Sequence, residues 1–429
     1  MFLRQLEDKG LSQFSYLVGC QKTGEAIVVD PLRDIERYYA LAEKEGLKIT
    51  KAIDTHIHAD YLTGLREFAN RGVKVYASKE GGKDWQYEWL LNSDYDYELL
   101  ADKSIVKIGN ISIEAIHTPG HTPEHLTYLL RDHPRSDKPL AAFTGDFIFV
   151  GDVGRPDLLE SAAKVEGAMK VGAKELFASI KKFKSFSKDL AIFPGHGSGS
   201  ACGKALGAVP MSTLGYELDS NPALVIDDED EFVEFILKDQ PAPPLYFARM
   251  KKENKLGPAL LEERPVGLLK DPVGKVINLK SEKEGSGIIA SENTLTEIAG
   301  SYLEPDEEIT LVVDKDNFEK AKMDLILIGL DNVKGFVNEY NESQSGSDDK
   351  ELFFLDVRGE KEYREENLGT LLIPHTRIAD RLSELDKSKK IMVFCAAGGR
   401  AVSAASFLQS KGFDAKSIGG IDDARNLMS

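Results

Sequence analysis

Residues 54–64 read DTHIHADYLTG and follow the strand-like residues KAI at 51–53, a pattern typical of a β-strand that runs into a loop. The loop carries His56 and His58 at positions i and i+2, so both side chains can project into one cleft lined by loops. Such a pair also occurs in ordinary turns. Whether the His56/His58 pair marks a metal site therefore depends on whether other segments of the chain supply further ligands.

Three later segments repeat this arrangement of an apolar strand, a turn containing Gly, and a His or Asp. They are TPGHTPEH at 118–125, FTGD at 143–146 and FPGHG at 193–197. Gly and Pro let the backbone turn sharply and expose the following side chain. Scattered turn histidines would explain one such segment. Four in series indicate a metal site built from loops at strand ends.

Composition limits the classes of partner. The chain has 429 residues, which suggests about three domains, and a net charge of −17, which argues against nucleic acid and against an anionic membrane surface. We find no apolar run of the ~20 residues that a membrane span needs, and no signal-peptide pattern at the start. The odd count of 3 cysteines predicts reduced thiols and a cytoplasmic protein.

The four strand-end motifs together resemble those of the metallo-β-lactamase superfamily. Within that superfamily, TGDFIFVGDVGRPDL at 144–158 is similar to the persulfide dioxygenase branch. The resemblance covers residues 1–250 and implies an αββα sandwich with the site at the strand ends.

The resemblance also implies the metal. Two-metal hydrolases of the glyoxalase II type carry HxHxDH, but Tyr61 stands at the last position here, and a neutral phenol replaces imidazole poorly. Persulfide dioxygenases hold one Fe(II) per chain, and their ligands carry over to His56, His121 and Asp146. Two histidines and one carboxylate leave open positions, which suits a non-haem iron oxygenase.

Other polar residues near these motifs have two interpretations each. Either they orient the ligands or they only make hydrogen bonds within their loops; they are His58, Asp60, His125 and His196. Arg155 is predicted either to bind a carboxylate or phosphate of the thiol carrier or to form an ion pair at a helix start. Cys202 could touch substrate, although packing in a turn is commoner.

A second chemical motif lies near the end of the chain, where residues 391–400 read IMVFCAAGGR. A thiolate at Cys395 would face the loop amides and the positive end of the following helix, which makes it a nucleophile. Gly398 and Gly399 permit the tight loop that holds the substrate, and Arg400 adds positive charge. A buried core cysteine is the structural alternative.

The C-x-x-G-x-R loop resembles the rhodanese active loop, and LDVRGEKEY at 355–363 is similar to that family's entry motif. The resemblance covers residues 350–429 and implies a sulfurtransferase domain. The stretch ENLGTLLIPH at 366–375 departs from the family pattern, which affects packing more than the active loop.

Two linkers divide the chain. The Pro-rich and charged residues 239–258 and the polar residues 341–350 are predicted boundaries. Between them, residues 258–340 repeat the βα pattern of the last segment, but Asp314 stands where that segment has Cys395. We therefore predict two rhodanese-like α/β domains, of which the middle one lacks the nucleophile, although any two βα units look alike at this level.

The whole chain is similar to persulfide dioxygenase–rhodanese fusions of bacterial sulfide detoxification. The resemblance implies oxidation of a persulfide RSSH, of the glutathione or coenzyme A type, by O₂ to sulfite and RSH. Cys395 would form thiosulfate from sulfite or use it, and a homo-oligomer is expected. The alternatives are a zinc thioester hydrolase of the glyoxalase II type and a sulfur-carrier or sensor protein.

Overall fold

The computed structural model describes residues 1–161, 165–262, 265–280, 285–340 and 350–428. The chain divides into two compact units. The first contains residues 1–240 and 247–262, and the second contains residues 241–246 and 263–429. The predicted linker at 341–350 lies outside the described residues except for Lys350.

The first unit contains two six-stranded sheets. In the first sheet, β1 to β3 pair antiparallel and β3 to β6 pair parallel. Its strands are β1 (Phe2–Asp8), β2 (Gln13–Gly19), β3 (Glu25–Val29), β4 (Lys48–Ile53), β5 (Lys74–Ser78) and β6 (Tyr97–Leu100).

The second sheet has the order β12-β11-β10-β9-β8-β7, and only its β10–β11 pair is parallel. Its strands are β7 (Ile105–Ile108), β8 (Ile111–His117), β9 (Leu126–Asp132), β10 (Ala141–Gly145), β11 (Ala191–Pro194) and β12 (Ser212–Thr213).

The α-helices of this unit lie mostly in the connections between strands. They are α1 (Glu36–Lys44), α2 (Leu65–Asn70), α3 (Glu88–Leu91), α4 (Leu158–Ser161), α5 (Ala168–Phe183), α6 (Leu214–Ser220), α7 (Pro222–Val225), α8 (Glu229–Leu237) and α9 (Phe247–Leu256). A short 3₁₀ helix spans Lys83–Trp85.

Three apolar layers hold the first unit together. Tyr16 and Tyr128 belong to the layer between the two sheets. Phe68 belongs to the layer that covers the outer face of the first sheet, and Phe177 and Phe232 belong to the layer that covers the second. Because apolar side chains alternate on both faces of each sheet, both faces must be covered. The αββα sandwich predicted for the N-terminal half is confirmed.

The second unit contains two sheets whose strand pairs are all parallel within the described residues. The orders are β13-β17-β16-β14-β15 and β19-β18-β20-β21. The strands are β13 (Gly267–Leu268), β14 (Lys275–Asn278), β15 (Ile288–Ile289), β16 (Ile309–Val312), β17 (Val333–Val337), β18 (Leu352–Asp356), β19 (Leu371–Leu372), β20 (Lys390–Cys395) and β21 (Asp414–Gly420).

The α-helices of the second unit cover these sheets. They are α10 (Leu295–Tyr302), α11 (Lys315–Leu327), α12 (Glu360–Glu365), α13 (Gly399–Ser410) and α14 (Ile421–Met428), with 3₁₀ helices at His375–Arg377 and Leu382–Glu384. The two sheets belong to one packed body: Tyr302 stacks on Phe407 with ring centroids 4.2 Å apart, and Ile289 N donates to Ser406 Oγ at 2.9 Å.

One predicted boundary falls inside a helix. The sequence places the end of the first domain at residue 250, but α9 continues to Leu256, and the first unit extends to Glu262. The helix buries Phe247, Met250 and Asn254, and this narrow face is hard to see among its charged residues. No helix in the described ranges is long and apolar enough to cross a bilayer.

Candidate functional site

Three predicted metal ligands come together at the ends of three strands. His56 follows β4, His121 lies in the β8–β9 loop, and Asp146 follows β10. Their ligand atoms lie within 4.8 Å of one another, with His121 Nε2 3.6 Å from Asp146 Oδ2. All three side chains are buried.

The chemistry of this donor set fits a divalent cation. Burial lowers the pKa of His56 well below its ordinary value, and burial, together with His196, lowers the pKa of His121 to about 3. Both imidazoles are therefore neutral and keep a lone pair for a metal. Burial raises the pKa of Asp146 to about 6, and its Oδ1 accepts no hydrogen bond within the described residues. A buried carboxylate without a donor calls for a positive charge.

A hydrogen-bonded chain orients His56. Asp30 accepts from Thr55 N at 2.7 Å and from Thr55 Oγ1 at 3.1 Å, and Thr55 Oγ1 lies 2.9 Å from His56 Nδ1. This leaves Nε2 of His56 for a metal. Asp30 also lies 3.2 Å from His58 Nε2, so His58 is engaged by a carboxylate. Asp30 and Thr55 carry no motif of their own, and sequence reasoning missed both.

Asp146 is held through its backbone. Its N–H donates to His125 Nε2 at 3.2 Å, while His125 Nδ1 lies 2.9 Å from Thr118 Oγ1. Gly154 passes so close that a Cβ there would lie 1.8 Å from the carbonyl oxygen of Asp146 and 3.0 Å from His121 Cβ. Any larger residue at Gly154 would therefore displace two predicted ligands.

A second group of possible ligands lies next to the first. The ligand atoms of Asp60, His196 and Cys202 lie within 4.8 Å of one another, and His196 Nε2 lies 3.2 Å from Asp60 Oδ2. Burial and the nearby carboxylates raise the pKa of Cys202 well above its ordinary value, so the thiol is protonated. Tyr61 stacks on His58 with ring centroids 4.3 Å apart, and it offers no imidazole.

A residue of helix α9 fixes the His-x-His loop. Asn254 Nδ2 donates to His58 O at 2.9 Å and to Tyr61 O at 2.8 Å, and its Oδ1 accepts from Thr63 N at 3.0 Å. One buried side chain thus satisfies three backbone groups, which is a strong constraint on the loop. Asn254 lies almost 200 residues from this loop in sequence, so no local pattern indicates the contact.

Arg155 is buried and bonded within the protein, which differs from the environment expected of a substrate-binding residue. It is 1% exposed, and its guanidinium donates to Asp157 at 2.6 and 3.0 Å and to Ala201 O at 2.8 Å. Asp157 directly precedes α4, so these contacts favour the ion pair at a helix start. Its role as a substrate-binding residue stays a prediction.

The cysteine loop of the second unit connects β20 to α13. Cys395 ends the strand, Gly399 begins the helix, and Gly398 N donates to Cys395 Sγ at 3.1 Å. Gly398 has a backbone φ of +99°, a conformation that residues other than Gly rarely adopt. The sulfur therefore faces a backbone donor at a helix start, as the sequence predicts.

Arg400 is held beside this loop. Its guanidinium donates to both carboxylate oxygens of Glu362, each at 2.7 Å. The hydrogen bonds from Arg400 lower the pKa of Glu362 to about 2. Glu362 and then Cys395 raise the pKa of Arg400, so a fixed cation lies near the thiol.

Two family models match this chain, one in each compact unit. The metallo-beta-lactamase superfamily model matches residues 8–196, and the rhodanese-like domain model matches residues 339–424. The crystal structure of a metallo-beta-lactamase from Staphylococcus aureus subsp. aureus COL is 42% identical, with a TM-score of 0.73, over 78% of this chain and 99% of that one.

Two curated relatives match part of this chain. The human mitochondrial persulfide dioxygenase ETHE1 is 29% identical over 55% of this chain and 80% of its own. A hydroxyacylglutathione hydrolase from Polaromonas sp. is 32% identical over 43% of this chain and 61% of its own.

The sandwich, its buried His/Asp site and the separate cysteine loop define a metal-binding protein fused to a sulfurtransferase-like domain. The chain belongs to the metallo-beta-lactamase superfamily, with an N-terminal domain homologous to the persulfide dioxygenase ETHE1 and a C-terminal rhodanese-like domain.

Proposed function

We propose that this chain is an Fe(II)-dependent persulfide dioxygenase with a fused thiosulfate sulfurtransferase. In the reaction, one RSSH, one O₂ and one water give sulfite, RSH and two protons. The observation that carries the proposal is the buried set of His56, His121 and Asp146 in a domain homologous to a persulfide dioxygenase.

The residues of the first unit have separate tasks in this proposal. His56, His121 and Asp146 would hold one Fe(II), whose open coordination positions allow chemistry between a sulfur substrate and O₂. Thr55 and Asp30 fix the ring of His56, and their burial excludes bulk water from that side of the site.

In the second unit, Cys395 would carry the sulfane sulfur. The Cys395 thiolate forms a bond to the outer sulfur of thiosulfate, the bond from that sulfur to sulfite breaks, and sulfite leaves with the electron pair. The reverse step would consume sulfite made by the first unit. Gly398 N and Arg400 support this role because they place positive charge near the sulfur. Carrying both centres on one chain raises the effective concentration of the shared intermediate, which suits sulfide detoxification.

We further propose a structural role for the middle segment, residues 258–340, as a rhodanese-like domain without a nucleophile. In support, Asp314 lies between β16 and α11, the same kind of strand-to-helix junction that holds Cys395. A cytoplasmic location is supported by three free cysteines, and light scattering would test the homo-oligomer.

The test is oxygen consumption by anaerobically purified, iron-loaded protein with glutathione persulfide or coenzyme A persulfide. Sulfite and thiosulfate are quantified in parallel. We expect oxygen uptake with at least one persulfide and the appearance of sulfite, or of thiosulfate when sulfane sulfur is in excess. Iron-loaded protein that takes up no oxygen with either persulfide would contradict the proposal.

A two-metal thioester hydrolase is the second candidate. The adjacent group of Asp60, His196 and Cys202 favours it, as does the similarity to a hydroxyacylglutathione hydrolase. This function predicts two bound zinc ions per chain and hydrolysis of glutathione thioesters under anaerobic conditions. One iron per chain with no such hydrolysis would exclude it.

A further inference from the structure

A cavity opens beside the candidate metal centre. His121 contributes to its wall, so the cavity leads directly to a predicted ligand. The other lining residues that matter here are Ile57, Trp85, Leu158, Phe247 and Lys251. Thr122 also lines the cavity; apart from His121, Thr122 and Lys251, the lining side chains are apolar or aromatic. Such a lining is typical of a small-molecule site that uses few polar groups to orient its ligand.

Lys251 is a cation with no acidic partner at close range. Its Nζ lies 3.5 Å from the centre of the Trp85 ring, and no carboxylate of the described residues lies within 4.0 Å of it. One turn further along α9, Lys255 has partners: its Nζ lies 3.2 Å from Glu88 and 3.6 Å from Asp84. The two lysines therefore differ in environment although they share a helix.

Glu124 is the acid that acts on Lys251 from inside the domain, and it is a weak counter-ion. It is 1% exposed, and it accepts a hydrogen bond from Ile57 N at 2.7 Å. Burial raises the pKa of Glu124 to about 7, so the carboxyl is only partly ionised near neutral pH. Burial lowers the pKa of Lys251 itself, and among the described residues Glu124 and Asp84 act on it only from beyond 4.0 Å, so a bound anionic group would be its nearest counter-ion.

Helix α9 fixes the position of Lys251 relative to the predicted metal ligands. Asn254, on the same helix as Lys251, hydrogen-bonds the backbone of the His-x-His loop. Trp85 is held by its own loop: at Gly81, φ is +75°, and a Cβ there would meet Glu124 N at 2.8 Å and Trp85 Cβ at 2.9 Å. Neither wall of the cavity can shift far without disturbing the site.

We propose that this cavity binds the organic part of the persulfide and that Lys251 selects carriers with an anionic group, a carboxylate or a phosphate. The proposal rests on the proposed dioxygenase function and names its substrate class. On a chain of net charge −17, an anionic substrate needs such a local cation.

The activity test compares Lys251→Met with the matched control Lys255→Met. Each variant is assayed for oxygen uptake with glutathione persulfide, coenzyme A persulfide and the uncharged 2-hydroxyethyl persulfide. We expect Lys251→Met to lower kcat/KM for the glutathione persulfide at least about tenfold, the usual cost of a lost charge-assisted contact. The uncharged substrate and the control should stay within about twofold of the wild type.

Each other outcome has a defined meaning. An equal loss for charged and uncharged persulfides would make Lys251 a structural residue and overturn the proposal, as would no loss at all. A loss confined to glutathione persulfide would assign the bound anion to a carboxylate, and a loss confined to coenzyme A persulfide would assign it to a phosphate; both outcomes support the proposal. Lys251→Arg should retain selectivity because it keeps the charge.

A binding measurement separates this proposal from the dioxygenase reaction. S-methylglutathione is titrated while tryptophan fluorescence is followed, since Trp85 lines the cavity and the chain has 2 tryptophans. The dissociation constant should rise at least about tenfold in Lys251→Met and not in Lys255→Met. If the wild type consumes no oxygen with any persulfide, the proposed function fails and this titration still decides the role of Lys251. Equal affinities in the two variants would overturn it.

Discussion

Single residues of the same type take different roles here because of the groups beside them. His56 and His58 are two positions apart, yet Thr55 orients the first, while the second pairs with Asp30. The sequence predicts that the His and Asp residues after successive strands meet, because strand ends share an edge. It cannot predict the partner of each ring, since Asp30, at the end of a neighbouring strand, contacts His58 directly and reaches His56 only through Thr55. The ligand roles themselves stay predictions.

His121→Ala should abolish metal retention, because it removes one of only three predicted ligands. We expect bound iron and persulfide-dependent oxygen uptake to fall by at least about tenfold, since ligand and supporting residues commonly contribute that much. Metal analysis and an oxygen electrode measure both. His117→Ala is the control: His117 lies near the same loop, but its Nε2 is bound to Pro123 O at 2.8 Å. Oxygen uptake that survives in His121→Ala would contradict the ligand assignment.

The Glu362–Arg400 pair gives a pH prediction with a definite sign. The pKa of Glu362 is lowered from 4.5 to about 2, so its stabilising effect is present above pH 4.5 and is lost as the pH falls toward 2. Wild type should exceed Glu362→Gln in Tm near neutral pH by a few degrees at most, because the pair is about one-third exposed. The difference should vanish on acidification. A difference that grows toward low pH would contradict this account.

At the scale of elements, loops at the ends of strands build both sites. The predicted centre is recognisable because each short motif pairs an apolar strand with Gly and a ligand residue. Helix α9 was not recognisable in this way. Pro and charged residues around 239–258 resemble a linker, and only three buried residues in the helix reveal its packing face. Whether such a segment is a linker or a packed helix depends on contacts with residues far away in sequence.

Asn254→Ala should loosen the His-x-His loop, because it leaves three buried backbone groups without partners. Each buried backbone group left unpaired should lower the free energy of unfolding of the first unit by about 1–3 kcal/mol. The affinity for the metal should fall as well, because the loop carries a predicted ligand. Denaturant titration and metal analysis test this. Lys252→Ala, on the exposed side of the same helix, should change neither. Wild-type stability and metal content in Asn254→Ala would show that the loop does not need this anchor.

At the scale of the whole molecule, each compact unit carries its own candidate chemistry. The first holds the His/Asp site, and the second holds the cysteine loop. The sequence indicates both because their motifs are local. The number of rhodanese-like domains stays a prediction, since βα repeats look alike and only residues 339–424 match that family's model.

Cys395→Ser should therefore separate the two activities. A hydroxyl cannot carry sulfane sulfur, so sulfur transfer from thiosulfate to cyanide should be lost. Oxygen uptake with a persulfide should stay within about twofold of the wild type, because the predicted iron ligands are untouched. Cys20→Ser, in the first unit, serves as the control for both assays. A large loss of oxygen uptake would show that the two centres are obligatorily coupled.

Metal removal should destabilise only one of two thermal transitions. A metal that binds the folded first unit at 100 times its Kd stabilises it by about 2.7 kcal/mol, and a chelator removes this effect. We expect about one iron per chain and a chelator-dependent fall in the Tm of the first unit by calorimetry. Unchanged melting after complete loss of iron would place the metal elsewhere.

The anchor on helix α9 limits how this fusion can be taken apart or recombined. A fragment cut at residue 250 would keep every strand of the first unit and every predicted metal ligand but would lack Lys251 and Asn254. Such a fragment would have lost both the residue that ties down the His-x-His loop and the cation of the neighbouring cavity. Exchange of the catalytic modules, by an engineer or by gene fusion, therefore has to keep helix α9 with the first unit.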